Sequence, residues 1–107
     1  MLESALELHP EALEEALAGY AWYLEHSETT ADRFFGELER AVRLILQGPH
    51  RWSAYLHGTR RMVLVKFPYS VVYRARGDVV VIYAFAHAKR RAGYWRKRLG
   101  GVKPLSG

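Results

Sequence analysis

Between Pro10 and about His26, Leu13, Ala16, Leu17, Tyr20, Tyr23 and Leu24 recur three and four residues apart, the spacing of one face of a helix. Pro10 suits a first helical turn, and Glu11, Glu14 and Glu15 complement the positive end of the helix dipole. Thr29 followed by Asp32 has the form of a capping box. Phe34, Phe35, Leu38, Ala41, Val42 and Ile45 then hold the helical period until Gly48-Pro49 breaks it. The connection near Ser27 to Thr29 is short, so the pattern predicts an antiparallel helical hairpin. Its apolar stripes would face a common partner and its acidic faces water.

Beyond Pro49 the period changes. Arg61 to Phe67, Tyr69 to Arg76 and Val79 to Ala86 are rich in Val, Ile, Tyr and Phe and have the lengths of strands. Gly77-Asp78 reads as a two-residue hairpin turn between the last two, because glycine accepts the positive φ such turns require. Alternation puts Tyr69, Val71, Tyr73 and Ala75 on one face, which the helices should cover. Ser70, Val72, Arg74 and Arg76 then line an opposite, partly basic face open to a ligand. Ala5 to Leu8 reads as a short edge strand, Ala92 to Leu99 as a final helical turn or two, and 100–107 as a flexible tail. The sum is one α+β domain over 1–107: a short N-terminal strand, a helical hairpin packed on a small antiparallel sheet, and a short C-terminal helix.

Charge divides the chain in two. Residues 1–50 hold three Lys and Arg against ten Asp and Glu, whereas residues 51–107 hold thirteen against one. Clustered cations interleaved with rings, as in His87-Ala88-Lys89-Arg90-Arg91 and Tyr94-Trp95-Arg96-Lys97-Arg98, suit a polyanion or an acidic peptide. A chain of 107 residues that is 50% hydrophobic can bury roughly two thirds of its unfolded surface in one core. Cysteine is absent, which rules out a disulfide framework and suits a reducing cytoplasm. The acidic opening residues lack the pattern of an export signal, so a cytoplasmic address is expected. The longest apolar run, Val79 to Ala86, has eight residues, far below the ~20 of a membrane helix.

The five histidines are scattered without metal-ligand spacing, and no glycine loop of phosphate-binding form occurs, so neither metal nor cofactor is expected. His87, at the end of the last strand, is the group best placed to move a proton. Cations nearby could stabilise charge developing on a phosphate, and RNA would supply its own 2′-hydroxyl as nucleophile. His87, Arg61, Arg90 and Tyr73 are the candidate catalytic residues. Arg60, Lys89, Arg91, Tyr94 and Arg98 are candidates for contact with the target. A histidine at a strand end can equally serve only to bond backbone, and of Tyr94 and Trp95 one is expected to seal the core. Arg60 and Arg61, being adjacent on a strand, point to opposite faces.

Several segments in this order resemble the RelE/ParE family of bacterial toxins, of plasmid-stabilisation type. They are Leu6-Glu7-Leu8-His9-Pro10-Glu11-Ala12, the Gly48-Pro49 break, Arg60-Arg61-Met62, Phe67-Pro68-Tyr69-Ser70-Val71-Val72-Tyr73, Ala86-His87-Ala88-Lys89-Arg90 and Tyr94-Trp95-Arg96-Lys97-Arg98. The resemblance implies a type II toxin held inactive in a hetero-oligomer by a cognate antitoxin. It also implies one of two modes of growth inhibition, either ribosome-dependent cleavage of mRNA or poisoning of DNA gyrase. Arg61 matches a basic position of the RNA-cleaving relatives, but Val63 and Ser70 stand where those relatives are usually basic. A third expectation is therefore an inactive member that only binds an antitoxin or serves a regulatory interaction.

Overall fold

The structure, a computed structural model, describes residues 4–101. In chain order it comprises strand β1 (Ala5–Leu8), helices α1 (Pro10–Leu24) and α2 (Glu28–Gln47), the two-residue strand β2 (Ser53–Ala54) and a 3-10 turn (Leu56–Gly58). Strands β3 (Arg60–Val63), β4 (Tyr69–Arg76) and β5 (Val79–His87) and helix α3 (Arg96–Gly101) complete it. The strands form one sheet in the order β1-β5-β4-β3-β2. Its neighbours pair antiparallel except β1, which runs parallel to β5. Strands β2 to β5 make the small antiparallel sheet that the sequence predicts, and the short N-terminal strand adds a parallel edge, since both helices and three strands separate β1 from β5 in the chain. Glycine at position 77 takes the predicted positive φ, +58°, between β4 and β5.

Local chemistry starts both long helices, though not always at the expected residue. His9 caps α1, its Nδ1 accepting the amide of Glu11 at 3.1 Å. Ser27, not Thr29, caps α2: its Oγ accepts the Thr30 amide at 3.2 Å. On α2 the expected stripe holds, with Phe34, Leu38, Ala41 and Ile45 all buried. On α1 it does not. The buried residues are Ala12, Ala16 and Gly19, while Leu13, Leu17 and Leu24 stay 45%, 53% and 43% exposed. Small residues let α1 sit so close that Phe34 occupies the space beside Gly19, which leaves the leucines no room inward.

Both faces of the sheet are covered, by different means. Against the helices, Val71, Tyr73, Val80, Ile82 and Phe85 pack on Phe34, Leu38 and Ile45 in the main core. Plain alternation buries Val71 and Tyr73 of β4 on the helix side and Val72 on the other, while the register shift opposite Val72 and Tyr73 leaves Tyr83 of β5 without a strand partner and turns Phe85 toward the helices. On the other face, expected to be open, Val72 and Ala84 are fully buried beneath Trp95, with Tyr55, Tyr94 and Leu99 around them. The stretch after β5 folds back to provide this cover, so the basic surface is displaced from the strands to the C-terminal segment. Residue 101 still belongs to α3, and the rest of the predicted tail lies outside the described residues.

Candidate functional site

The C-terminal segment is fixed by one carboxylate. Glu15, on the flank of α1 beside Gly19, accepts the Phe85 amide at 3.0 Å and the Tyr94 hydroxyl at 2.5 Å. It also receives both terminal nitrogens of Arg98 at 2.9 Å each. Arg98 donates further to the Tyr83 carbonyl at 3.0 Å and lies within 3.7 Å of Glu11. Among the described residues these are the ion pairs of the chain, and the Arg98–Glu15 pair, 9% and 15% exposed, is shielded from water, whereas Glu11 stands largely in solvent. Burial opposes the Arg98 charge, but the bonds and field of Glu15 outweigh it, so its pKa rises. Burial, then Glu15, likewise pushes the Tyr94 phenol far above its ordinary value. The sequence reading pointed Glu15 at water. The one signal against that was its place among the small residues Ala12, Ala16 and Gly19 that α1 buries.

Around this anchor the cations and rings gather. Arg90 lies over the Tyr94 ring, 3.8 Å from its centroid, and Arg61 over the Tyr55 ring at 4.0 Å. Arg61, Tyr55, His87, Arg90, Arg91 and Tyr94 line a cleft of 160 Å³ on the Trp95 side of the sheet. His87, Arg90 and Tyr94 are also part of the wall of a larger groove of 680 Å³, whose other side is formed by Ala18, Gly19, Trp22 and Tyr23 of α1. Lys89 and Arg91 are exposed at the rim. His87 is half-buried, its Nδ1 accepts the Lys89 amide at 3.0 Å, and its ring meets Tyr69 edge-on at 5.0 Å.

Of the candidate catalytic residues, Arg61, His87 and Arg90 are brought together and Tyr73 is not. Tyr73 is fully buried on the helix-covered face, its hydroxyl donates to the Pro49 carbonyl at 2.7 Å, and burial lifts its pKa to about 12. Strand alternation, which put Tyr73 under the helices, already separates it from Arg61. Of the candidate contact residues, Arg60 points to the other face as predicted and donates to the Trp52 carbonyl at 2.7 Å. Arg98 is committed to Glu15, because a guanidinium so little exposed needs a carboxylate. Tyr94 is half-buried, while Trp95, 1% exposed, is the ring that seals the core. Among the described residues no group of His, Asp or Glu side chains could hold a metal ion, and no helix is long and apolar enough to cross a membrane.

Three helices and a five-stranded mixed sheet match the folds of ParE and RelE toxins. A solved chain of the chromosomal ParDE toxin-antitoxin system from P. aeruginosa is similar, with TM-score 0.71 and 18% identity over 81% of this chain and 98% of that one. A double arginine-to-alanine mutant of E. coli toxin RelE in the free state is similar too, with TM-score 0.63 and 16% identity over 95% of this chain and all of the other. At such identities the likeness concerns the fold. In sequence, the family model described as ParE toxin of type II toxin-antitoxin system, parDE, matches residues 6–92. The chain belongs to that family and is a toxin of a type II toxin-antitoxin system. No curated protein matches it in sequence.

Proposed function

We propose that this toxin arrests growth by binding DNA gyrase through the basic surface around Arg90, without bond-making chemistry of its own, and that a cognate antitoxin neutralises it in the cytoplasm. The observation that carries this reading is that Tyr73, one of the four groups expected to serve RNA cleavage, lies apart from the other three. A proton-transfer set requires acid, base and phosphate clamp within reach of one scissile phosphate. Tyr73 lies in the core on the far side of the sheet, and the Nδ1 of His87 is occupied by the Lys89 amide. Arg90, Lys89 and Arg91 remain as exposed cations, which suits docking on an acidic partner. A family match to ParE toxins supports the same choice.

The experiment is a supercoiling assay with purified gyrase and stoichiometric toxin. Inhibition relieved by charge reversal at Arg90 is expected, and full supercoiling in the presence of the toxin would overturn the proposal. One observation favours mRNA cleavage instead: Arg61, His87 and Arg90 share a cleft with Tyr94. That reading requires new codon-linked RNA 5′ ends shortly after induction, and their absence removes it. Unimpaired growth on expression without a partner would leave only the inactive, antitoxin-binding member.

A further inference from the structure

Three cations follow β5 in a row, yet only Arg90 has its guanidinium held in place. All three are exposed, but Arg90 rests on the Tyr94 ring. A flat cation over a ring is directed only as well as the ring is, and the backbone bond from the Tyr94 amide to the Arg91 carbonyl, 3.1 Å, fixes the root of this side chain but not the far end of its ring. The Tyr94 hydroxyl supplies the constraint by donating to Glu15. Glu15 is itself immobilised from three directions, by the Phe85 amide in the sheet, by Arg98 in α3 and by its own helix. Its oxygens accept four bonds in all, two on Oε1 and two on Oε2, so the carboxylate has no other rotamer that keeps them.

We infer that Glu15 is a positioning residue: through the Tyr94 hydroxyl it orients the ring that carries Arg90, and so fixes where that cation meets the target. The inference rests on the proposed role of the basic surface. It assigns to a helix residue more than seventy positions away in sequence a share in target affinity that no contact of its own would give. Preorganisation is the physical reason, since a side chain already held in its bound orientation loses less entropy on binding. The Phe85 and Tyr94 bonds also bind the floor of the groove to the wall of the cleft, so the same carboxylate spans both.

Two variants separate positioning from folding. E15Q removes the charge facing Arg98 and is expected to cost stability. Y94F removes only the hydroxyl, and keeps the Arg98 ion pair and the ring itself while freeing the ring's orientation. NMR relaxation of the Arg90 Nε–Hε group in the purified toxin should show its order falling in both variants to that of exposed Arg76. Unchanged order in Y94F overturns the inference. In the gyrase assay Y94F should weaken inhibition about 3-fold, the scale of one exposed cation–π contact. The pair Y94F/R90A should be no weaker than R90A alone, since the hydroxyl acts through the guanidinium. Losses that simply add overturn the inference as well. If Y94F loosens Arg90 and yet R90A leaves inhibition intact, the positioning stands and the gyrase reading is the part that fails.

Discussion

The two faces of the sheet are held by different physics. On the helix side, Phe34, Ile45, Tyr73, Ile82 and their neighbours form a continuous hydrocarbon interior, into which Tyr73 brings a polar link to Pro49. On the other side the buried apolar patch is small, Val72 and Ala84 under Trp95, and the segment that covers it is secured by Glu15 and Arg98. Area-driven burial is nondirectional and tolerates sliding, whereas a bidentate ion pair fixes orientation. The face that presents cations to a target is the one built with directional bonds. A weakly covered face can thus still hold Tyr94 and Arg90 in register.

Removing the centre of each face should break the comparison open. F34A empties a fully buried ring site in contact with Tyr23, Phe67 and Tyr69, and should cost about 4 kcal/mol, the middle of the range for such truncations. Denaturant unfolding followed by amide exchange should show protection lost throughout the molecule. W95A should cost less, about 3 kcal/mol. It should release amides of the C-terminal segment well before those of α2 and β4. Simultaneous loss everywhere in W95A would mean that the two faces are one cooperative unit.

That division was only half legible in the sequence. The hairpin, β4, β5 and the turn at Gly77 could be read because each follows from local spacing or turn chemistry. The helix-covered identity of Tyr69, Val71 and Tyr73 follows from alternation alone. The parallel pairing of β1 and the closure of the second face could not be read, since both depend on contacts between distant parts of the chain. Periodicity also misled on α1: Leu13 and Leu17 satisfy the helical spacing, but close approach at Gly19 decided which side went in. For the site, Arg61, His87 and Arg90 were found because cations near strand ends are a local pattern. Glu15 carries no local signal because its partners lie seventy and more residues away, and Tyr73, a chemically apt residue type, is excluded from the site by strand parity.

High pH should probe the polar links on both faces. Burial raises the Tyr73 pKa to about 12, and Tyr94 is raised further, while unfolded tyrosine titrates near ~10. The folded chain therefore retains protons that the unfolded chain releases. The stabilisation is complete below about pH 10 and is lost as pH climbs through the folded values, so stability should fall between about pH 10 and 12 by about 2 kcal/mol from Tyr73 alone. Urea midpoints across that range check it. Y73F should lose about 1 kcal/mol at neutral pH with the Pro49 bond, but decline less steeply in alkali. An equal slope in wild type and Y73F would exclude Tyr73 as the titrating group, and a shallower slope in Y94F would assign part of the loss to the other face.

The smallest expected effect concerns the close approach that turned the leucines of α1 outward. An alanine at Gly19 would gain about 1 kcal/mol of helix propensity. Its Cβ, however, would stand 2.8 Å from Phe34 Cζ and 2.9 Å from the Tyr69 hydroxyl, closer than such contacts allow. Overpacking of this kind costs about 1–3 kcal/mol, so the net change for G19A should be a loss of about 1 kcal/mol. At Gly36 on α2 an added Cβ meets nothing within 4 Å, so G36A keeps the propensity gain and should be stabilised by up to about 1 kcal/mol. Opposite signs for two identical substitutions, read as shifts of the urea midpoint, would show that packing against Phe34 of α2 and Tyr69 of β4, rather than helix formation, sets the seating of α1. Stabilisation by both would mean that Phe34 and Tyr69 yield, and that the helix-covered face is softer than the face held by Glu15.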